Sequence, residues 1–126
     1  MEKLKFINEQ MELNAVPYEF GEWTGKIQYP YFVGEIPSPT EYLTEDGMEE
    51  TPLFITGFHR GKAITLIEYA ERIKNIFHPI FGLRAKTSSG GAIAVFFEGF
   101  FPVPTDEADL KKIEIHLRIK EWKGAV

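Results

Sequence analysis

A chain of 126 residues with 44% hydrophobic and 26% charged content is long enough for one domain with its own core, which argues against wholesale disorder. It contains no cysteine, so disulfides, thiol catalysis and cysteine zinc sites are excluded and a reducing compartment is compatible. The formal net charge is −5, the opposite bias from a protein that grips nucleic acid by its phosphates, so sequence-specific DNA binding is disfavoured.

Leu4, Ile7 and Met11 have helical spacing, with Phe6 and Leu13 flanking them and polar Glu2, Lys3, Glu9 and Glu12 around. They predict a short helix to about Asn14, stopped by Pro17. This start lacks the uninterrupted apolar core of a signal peptide, and no apolar run approaches a membrane span. The expectation is a soluble intracellular protein. The stretch from Val16 to Gly25 is aromatic but punctuated by proline and glycine, and reads as an extended connector. From Ile27 to Glu35 the chain is strand-like, with Ile27, Tyr29, Tyr31 and Val33 alternating onto one face. Pro30 points to a sheet edge or an irregularity there.

Six acids and no lysine or arginine fall between Glu35 and Glu50 (Glu35, Glu41, Glu45, Asp46, Glu49, Glu50). Outside this segment thirteen acids face fourteen bases, so the acidity belongs to one loop or projecting arm at about 36–50. A solvated arm is favoured over a cation site, because oxygen-ligand sites need a tight, definite spacing that is missing here.

Thr51 to Arg60 predicts a second strand, with Leu53 and Ile55 sharing a face with Gly57 and His59, and Phe54, Thr56 and Phe58 on the other. Large apolar groups on both faces imply an inner strand or a face used for assembly. The clearest helix runs from Thr65 to about Phe77. Its stripe is Leu66, Ala70, Ile73 and Phe77, with a capping box at Thr65 and Glu68, a hydrophobic staple of Ile64 and Tyr69, and a stop near His78-Pro79. Leu83 to Gly91 reads as a mobile surface loop. Ala92 to Phe101 is a third strand, with Ile93, Val95 and Phe97 opposite Ala94, Phe96 and Phe100 and a bulge at Gly99. Lys112 to about Trp122 is the last, with Ile113, Ile115, Leu117 and Ile119 on one face and Glu114, His116, Arg118 and Lys120 on the other. The expected fold class is therefore α+β in the order α-β-β-α-β-β. It would form an antiparallel or mixed four-stranded sheet of two hairpins, with both helices packed on one face.

The chemistry is sparse. His59, His78 and His116 sit on separate elements without a ligand partner at helical spacing; a cationic His78 would suit its place at a helix end. Gly57 to Ala63 faintly resembles a phosphate loop, but only three residues separate its glycines and Ala63 stands where the Ser or Thr belongs. Arg60 and Lys62 read instead as exposed cations before the helix, solvated or paired across a subunit contact. Ser88 and Ser89 lack the strand–elbow–helix setting of a nucleophile. No cofactor, metal or catalytic residue is expected, and nothing calls for an enzyme.

Three segments carry a resemblance. Tyr29-Pro30-Tyr31-Phe32-Val33-Gly34-Glu35, the run from Gly57 to Phe77, and Phe101-Pro102-Val103-Pro104-Thr105 followed by Ile113 to Trp122 together resemble the tail terminator, or tail completion, family of long-tailed bacteriophages and prophages. The resemblance extends over most of the chain, and its motifs are structural. It implies a virion assembly protein that forms a ring, usually hexameric, on the head-proximal end of the tail tube, stops tube polymerisation and presents a surface for head–tail joining. The implied partners are copies of itself, the tail-tube protein and the head–tail connector protein, in the bacterial cytoplasm during assembly and then in the virion tail. No catalytic residue carries over. The residues expected at a subunit interface or the ring lumen are Glu41, Glu45, Asp46, Glu49, Glu50, Arg60, Lys62, Phe54 and Phe58. The competing readings are another phage neck or tail adaptor and a small α+β domain with an aromatic ligand pocket between helix and sheet.

Overall fold

The computed structural model describes residues 2–37, 42–43 and 48–123. Helix α1 (Glu2–Leu13) is followed by strands β1 (Tyr18–Phe20), β2 (Tyr31–Glu35), β3 (Tyr42–Leu43) and β4 (Met48–Arg60). Helix α2 (Ala63–Ile76) leads to β5 (Leu83–Lys86), β6 (Ala92–Val103) and β7 (Leu110–Trp122). The path through the sheet is β1-β2-β4-β7-β6-β5, with β3 pairing beside it on β4. The β1–β2 pair is parallel and the others are antiparallel.

This corrects the expected four-stranded sheet with helices packed on one face. The sheet is mixed, six strands wide along its path, and curled into a half-barrel. The missing strands are short. β1 lies in the stretch read as a connector, because Pro17 and Gly21 hide a run of only three residues. β5 lies in the stretch read as a mobile loop, because a four-residue strand is too short to display alternation.

The long strands follow their pattern. Leu53 and Ile55 on β4, and Ile113, Ile115, Leu117 and Ile119 on β7, are all buried, and the two strands pair along their whole lengths from Met48↔Trp122 to Arg60↔Leu110. The α2 stripe of Leu66, Ala70, Ile73 and Phe77 is equally buried, and Ile7 and Met11 of α1 join the same core cluster. Each large side chain taken from water there contributes about 1.5–3 kcal/mol.

The helix begins two residues earlier than expected. Lys62 is its N-cap, without a side-chain capping bond, and the Thr65 amide donates to the Lys62 carbonyl at 3.2 Å. The Thr65–Glu68 capping box is therefore not used, and Ile64 lies 53% exposed instead of stapled. At the other end the Phe77 carbonyl accepts the Phe97 amide at 2.9 Å, tying the helix to β6 just beyond the reach of β5.

Two local irregularities interrupt the expected strand pattern. The Tyr29–Pro30 bond is cis and Pro30 stands just before β2; β2 itself is flanked by β1 and β4, so the proline marks an irregularity and not an edge. The expected strand over Ile27 to Tyr29 is absent, and Ile27 is 52% exposed. The expected bulge appears as a register shift between Phe97 and Gly99. It reverses the facing beyond it: Phe100 packs against the core while Phe101 is 46% exposed.

Candidate functional site: the outer face of the sheet

One face of the sheet holds the core; the other carries a band of rings and charges. Period-two geometry sends Glu50, Pro52, Phe54, Thr56 and Phe58 of β4, Lys112 to Lys120 in alternation on β7, and Tyr31 and Val33 of β2 to this outer face. Among these described residues none is fully buried.

The band has two clusters. In the first, Phe54 lies flat on His116, ring centroids 3.8 Å apart and planes within 6°, as their cross-strand pairing requires. Phe101 meets the same imidazole edge-on at 5.4 Å, and the Glu114 carboxylate lies 3.0 Å from its Nε2. Beside it Arg118 donates to Glu98 at 2.8 Å and reaches Glu50 at 3.9 Å, while Lys120 lies 3.7 Å from Glu50. In the second, Phe58 stacks on Tyr31 at 5.1 Å, and Tyr31 meets Trp23 at 5.2 Å and Tyr29 at 5.6 Å. Lys112 stands over Phe58, and Lys120 over Phe96. Long cationic side chains thus cover part of the aromatic surface while keeping their charge in water. Such a face is compatible with solvent yet has the aromatic and arginine content typical of interface cores.

The expected site residues are divided by this geometry. Glu50, Phe54 and Phe58 share the outer face. Glu49 points the other way, 9% exposed, with Lys123 3.2 Å away, so it is no part of a projecting arm. Glu41, Glu45 and Asp46 lie outside the described residues. Arg60 stands ten residues along β4 from Glu50, a separation of about 34 Å at strand rise. Its guanidinium is engaged within the chain, donating to Glu107 at 2.7 Å and Asp109 at 2.9 Å. Tyr29 completes the cluster, its hydroxyl 3.4 Å from Arg60 Nε and its ring below the guanidinium. Lys62, the helix N-cap, is exposed.

The Arg60 hydrogen bond holds the Asp109 carboxyl below the usual carboxylate range. Because that value is depressed in the folded state, the pair contributes in full above about pH 3.9, the unfolded value, and its contribution fades as pH falls through the lowered one. Both groups are exposed, so the effect on stability is slight. The titration itself is the better readout: in Arg60→Gln the Asp109 side-chain carbon resonance should titrate at higher pH than in the parent. An unmoved midpoint would show that the bond does not persist in solution.

The site residues expected from the sequence include none of Tyr31, His116, Phe101 and Arg118. The β7 alternation predicts the polar facing of His116, but its stacking on Phe54 depends on pairing across 62 positions of sequence, which leaves no local signal. The histidines are dispersed, and among the described residues no group of three or more His, Asp or Glu could hold a metal ion. His78 is engaged in the turn that follows the helix, its Nδ1 accepting the Ile80 and Phe81 amides at 3.1 and 3.2 Å.

A cleft of about 310 Å³ opens between α2 and the end of the β6–β7 hairpin, with Leu66, Ile67, Pro102, Pro104 and Ile113 among its lining. It has no aromatic wall, and the Thr105 hydroxyl lies 2.7 Å from both the Glu107 and Leu110 carbonyls, its single hydrogen shared between them. No described helix is long and apolar enough to cross a membrane. Neither a family model nor a curated protein matches the chain.

Proposed function

We propose that this chain is a structural assembly subunit of a phage or prophage tail, a tail terminator. In this reading copies of it form a ring on the tail tube, end tube growth and present a surface to the head–tail connector. The observation that carries the proposal is the outer sheet face. A monomeric domain has no need of Tyr31, Phe54, Phe58 and Phe101 on a face with no fully buried side chain among those named on β2, β4 and β7, whereas an assembly subunit needs apolar area rimmed by charge. The order and length of the three segments that resemble the family support the same reading.

Two features weigh against a ligand-binding domain. The cleft beside α2 is mainly apolar, and polar groups at its rim are engaged within the chain, Glu107 by Arg60, Lys111 by the Ala108 carbonyl and the Thr105 hydroxyl by its own loop, which leaves few to orient a small molecule. A different neck or tail adaptor is the remaining competitor, and binding to the tube tip in preference to the portal side separates the two.

The test is mass, measured by sedimentation alone and with purified tail tubes of the phage concerned. The expected result is a ring, or a switch from monomer to ring on the tube tip, and shorter tubes when the protein is present during polymerisation. Phe58→Glu places a carboxylate in the aromatic cluster and should weaken assembly or tube binding by at least about tenfold, the equivalent of about 1.4 kcal/mol. A chain that stays monomeric with tubes present and leaves tube length unchanged is not a terminator.

A further inference from the structure

The strand order leaves β1 and β5 at the two ends of the sheet, with no strand paired to the outer side of either among the described residues. An unpaired edge is a template for another strand. These edges differ in charge. Around β1 the run Tyr18-Glu19-Phe20-Gly21-Glu22 holds two acids and no base, while β5, Leu83-Arg84-Ala85-Lys86, holds two bases and no acid.

We propose that these edges are the joint between copies: β5 of one subunit pairs in parallel with β1 of the next, with Arg84 opposite Glu19. This rests on the reading of the chain as a self-assembling subunit, and it names the surfaces that meet.

The geometry supports a single register. Tracing the pairings across the sheet, β1 and β5 run in the same direction. Copies related by rotation about an axis along the strands keep that direction, so their edges meet in parallel. On β1, the Phe32 amide donates to the Pro17 carbonyl and the Gly21 amide to the Gly34 carbonyl, each at 2.8 Å. That pattern turns the backbone groups of Glu19 towards β2 and those of Tyr18 and Phe20 outward. On β5, the Thr87 amide bonds to the Gly91 carbonyl at 3.1 Å, which turns Leu83 and Ala85 towards β6 and leaves Arg84 and Lys86 facing the open edge.

Tyr18 and Phe20 occupy the core-facing side by register with Phe32 and Gly34, as do Leu83 and Ala85 by register with Val95 and Ile93. Setting Tyr18 opposite Leu83, Glu19 opposite Arg84 and Phe20 opposite Ala85 satisfies both constraints together. Apolar meets apolar on one side and carboxylate meets guanidinium on the other. In this register the Phe20 amide donates to the Arg84 carbonyl and the Lys86 amide to the Phe20 carbonyl.

Glu19 is held ready for that contact. Its Oε2 and Oε1 accept the Thr24 amide and hydroxyl at 2.9 and 2.8 Å, which fixes the carboxylate while leaving further acceptor positions on both oxygens. Arg84 is exposed. Because the two edges are different surfaces, the contact is heterologous, and repetition closes into a ring or extends as a filament. Three residues of strand make a small interface, so association should depend strongly on concentration or on a template such as the tube tip.

The test uses the absence of native cysteine. Strands pair about 4.7–4.9 Å apart, so Glu19→Cys combined with Arg84→Cys should form disulfides between copies under mild oxidation, giving a ladder up to the ring on a non-reducing gel. Glu19→Cys combined with Lys62→Cys should give no ladder. In unmodified chains, Arg84→Glu should weaken self-association by at least about tenfold, and adding Glu19→Arg should restore it. A ring that sediments normally while the cysteine pair gives no ladder and Arg84→Glu changes nothing overturns the edge joint and leaves the assembly reading standing. Absence of any self-association, free or on tubes, overturns both.

Discussion

Phe77→Ala should lower the unfolding free energy by about 3–5 kcal/mol, the range for emptying a fully buried phenylalanine site. Phe77 is 0% exposed and ends the α2 stripe. Two costs combine. The ring's transfer from water is lost, and the site cannot collapse easily because its backbone is tied down: the Phe77 amide bonds to the Ile73 carbonyl at 3.0 Å and its carbonyl to the Phe97 amide at 2.9 Å. A cavity between a helix end and a long strand then stays open. Phe101→Ala makes the useful contrast, since that ring is 46% exposed and touches chiefly His116; its loss should cost less than about 1 kcal/mol. Urea unfolding of both variants reads the difference as a shift in midpoint at constant slope. Equal losses would place the core elsewhere. If Phe101→Ala also impairs assembly while Phe77→Ala lowers stability and leaves folded chains able to assemble, then the two sheet faces have separate duties.

The contrast between a buried and a solvent-facing side of the sheet explains how much of the molecule is legible in the sequence. The inward residues of α2, β4 and β7 announce themselves because burial acts on every second or every third-to-fourth position, and nothing interrupts the pattern over ten or more residues. β1 and β5 carry the same physics over three and four residues, too few to be told from a loop beside Pro17 or Ser88-Ser89-Gly90-Gly91. Their presence follows from neighbours: β2 and β6 have open sides that these segments fill. With them, the expected pair of hairpins becomes a wider curled sheet, and the edges of the molecule move.

The candidate site was readable only in part for a related reason. Phe54, Phe58 and Glu50 lie on one strand, and alternation alone puts them together. Arg60 reads from the sequence as an exposed cation, solvated or paired across a subunit contact, yet its partners Glu107 and Asp109 come from its own chain, brought there by the pairing of Arg60 with Leu110. The bulge at Gly99 has the same character: its existence was visible, but not that it carries Phe100 inward and Phe101 outward. Contacts made by register are invisible to periodicity, and the ring contacts of the outer sheet face are composed almost entirely of them.

Gly57→Ala tests one of these register contacts, and its sign is informative. A glycine inside a strand is ordinarily a weakness, and alanine there would be worth about 0.5–1 kcal/mol of added stability through the unfolded chain. Here Gly57 lies opposite Phe32 on β2 and Ile113 on β7. An added Cβ would collide with the Phe32 ring and stand 2.9 Å from Ile113 Cγ2. Phe32 is 0% exposed and packs against Tyr69 of α2 at 5.4 Å, so it has nowhere to retreat without disturbing the helix. Overpacking of this kind costs about 1–3 kcal/mol, enough to outweigh the backbone gain. The expected result is therefore net destabilisation. Phe32→Leu alone should also destabilise, by leaving space under α2. Together the two substitutions should lose less than their sum, with a coupling of about 0.5–3 kcal/mol in favour of the double variant. Strict additivity would mean that the sheet yields at Gly57 by opening between β2 and β4. The curl that brings β1 to its edge position would then be soft, and a joint built on that edge would need the neighbouring copy to hold it in place.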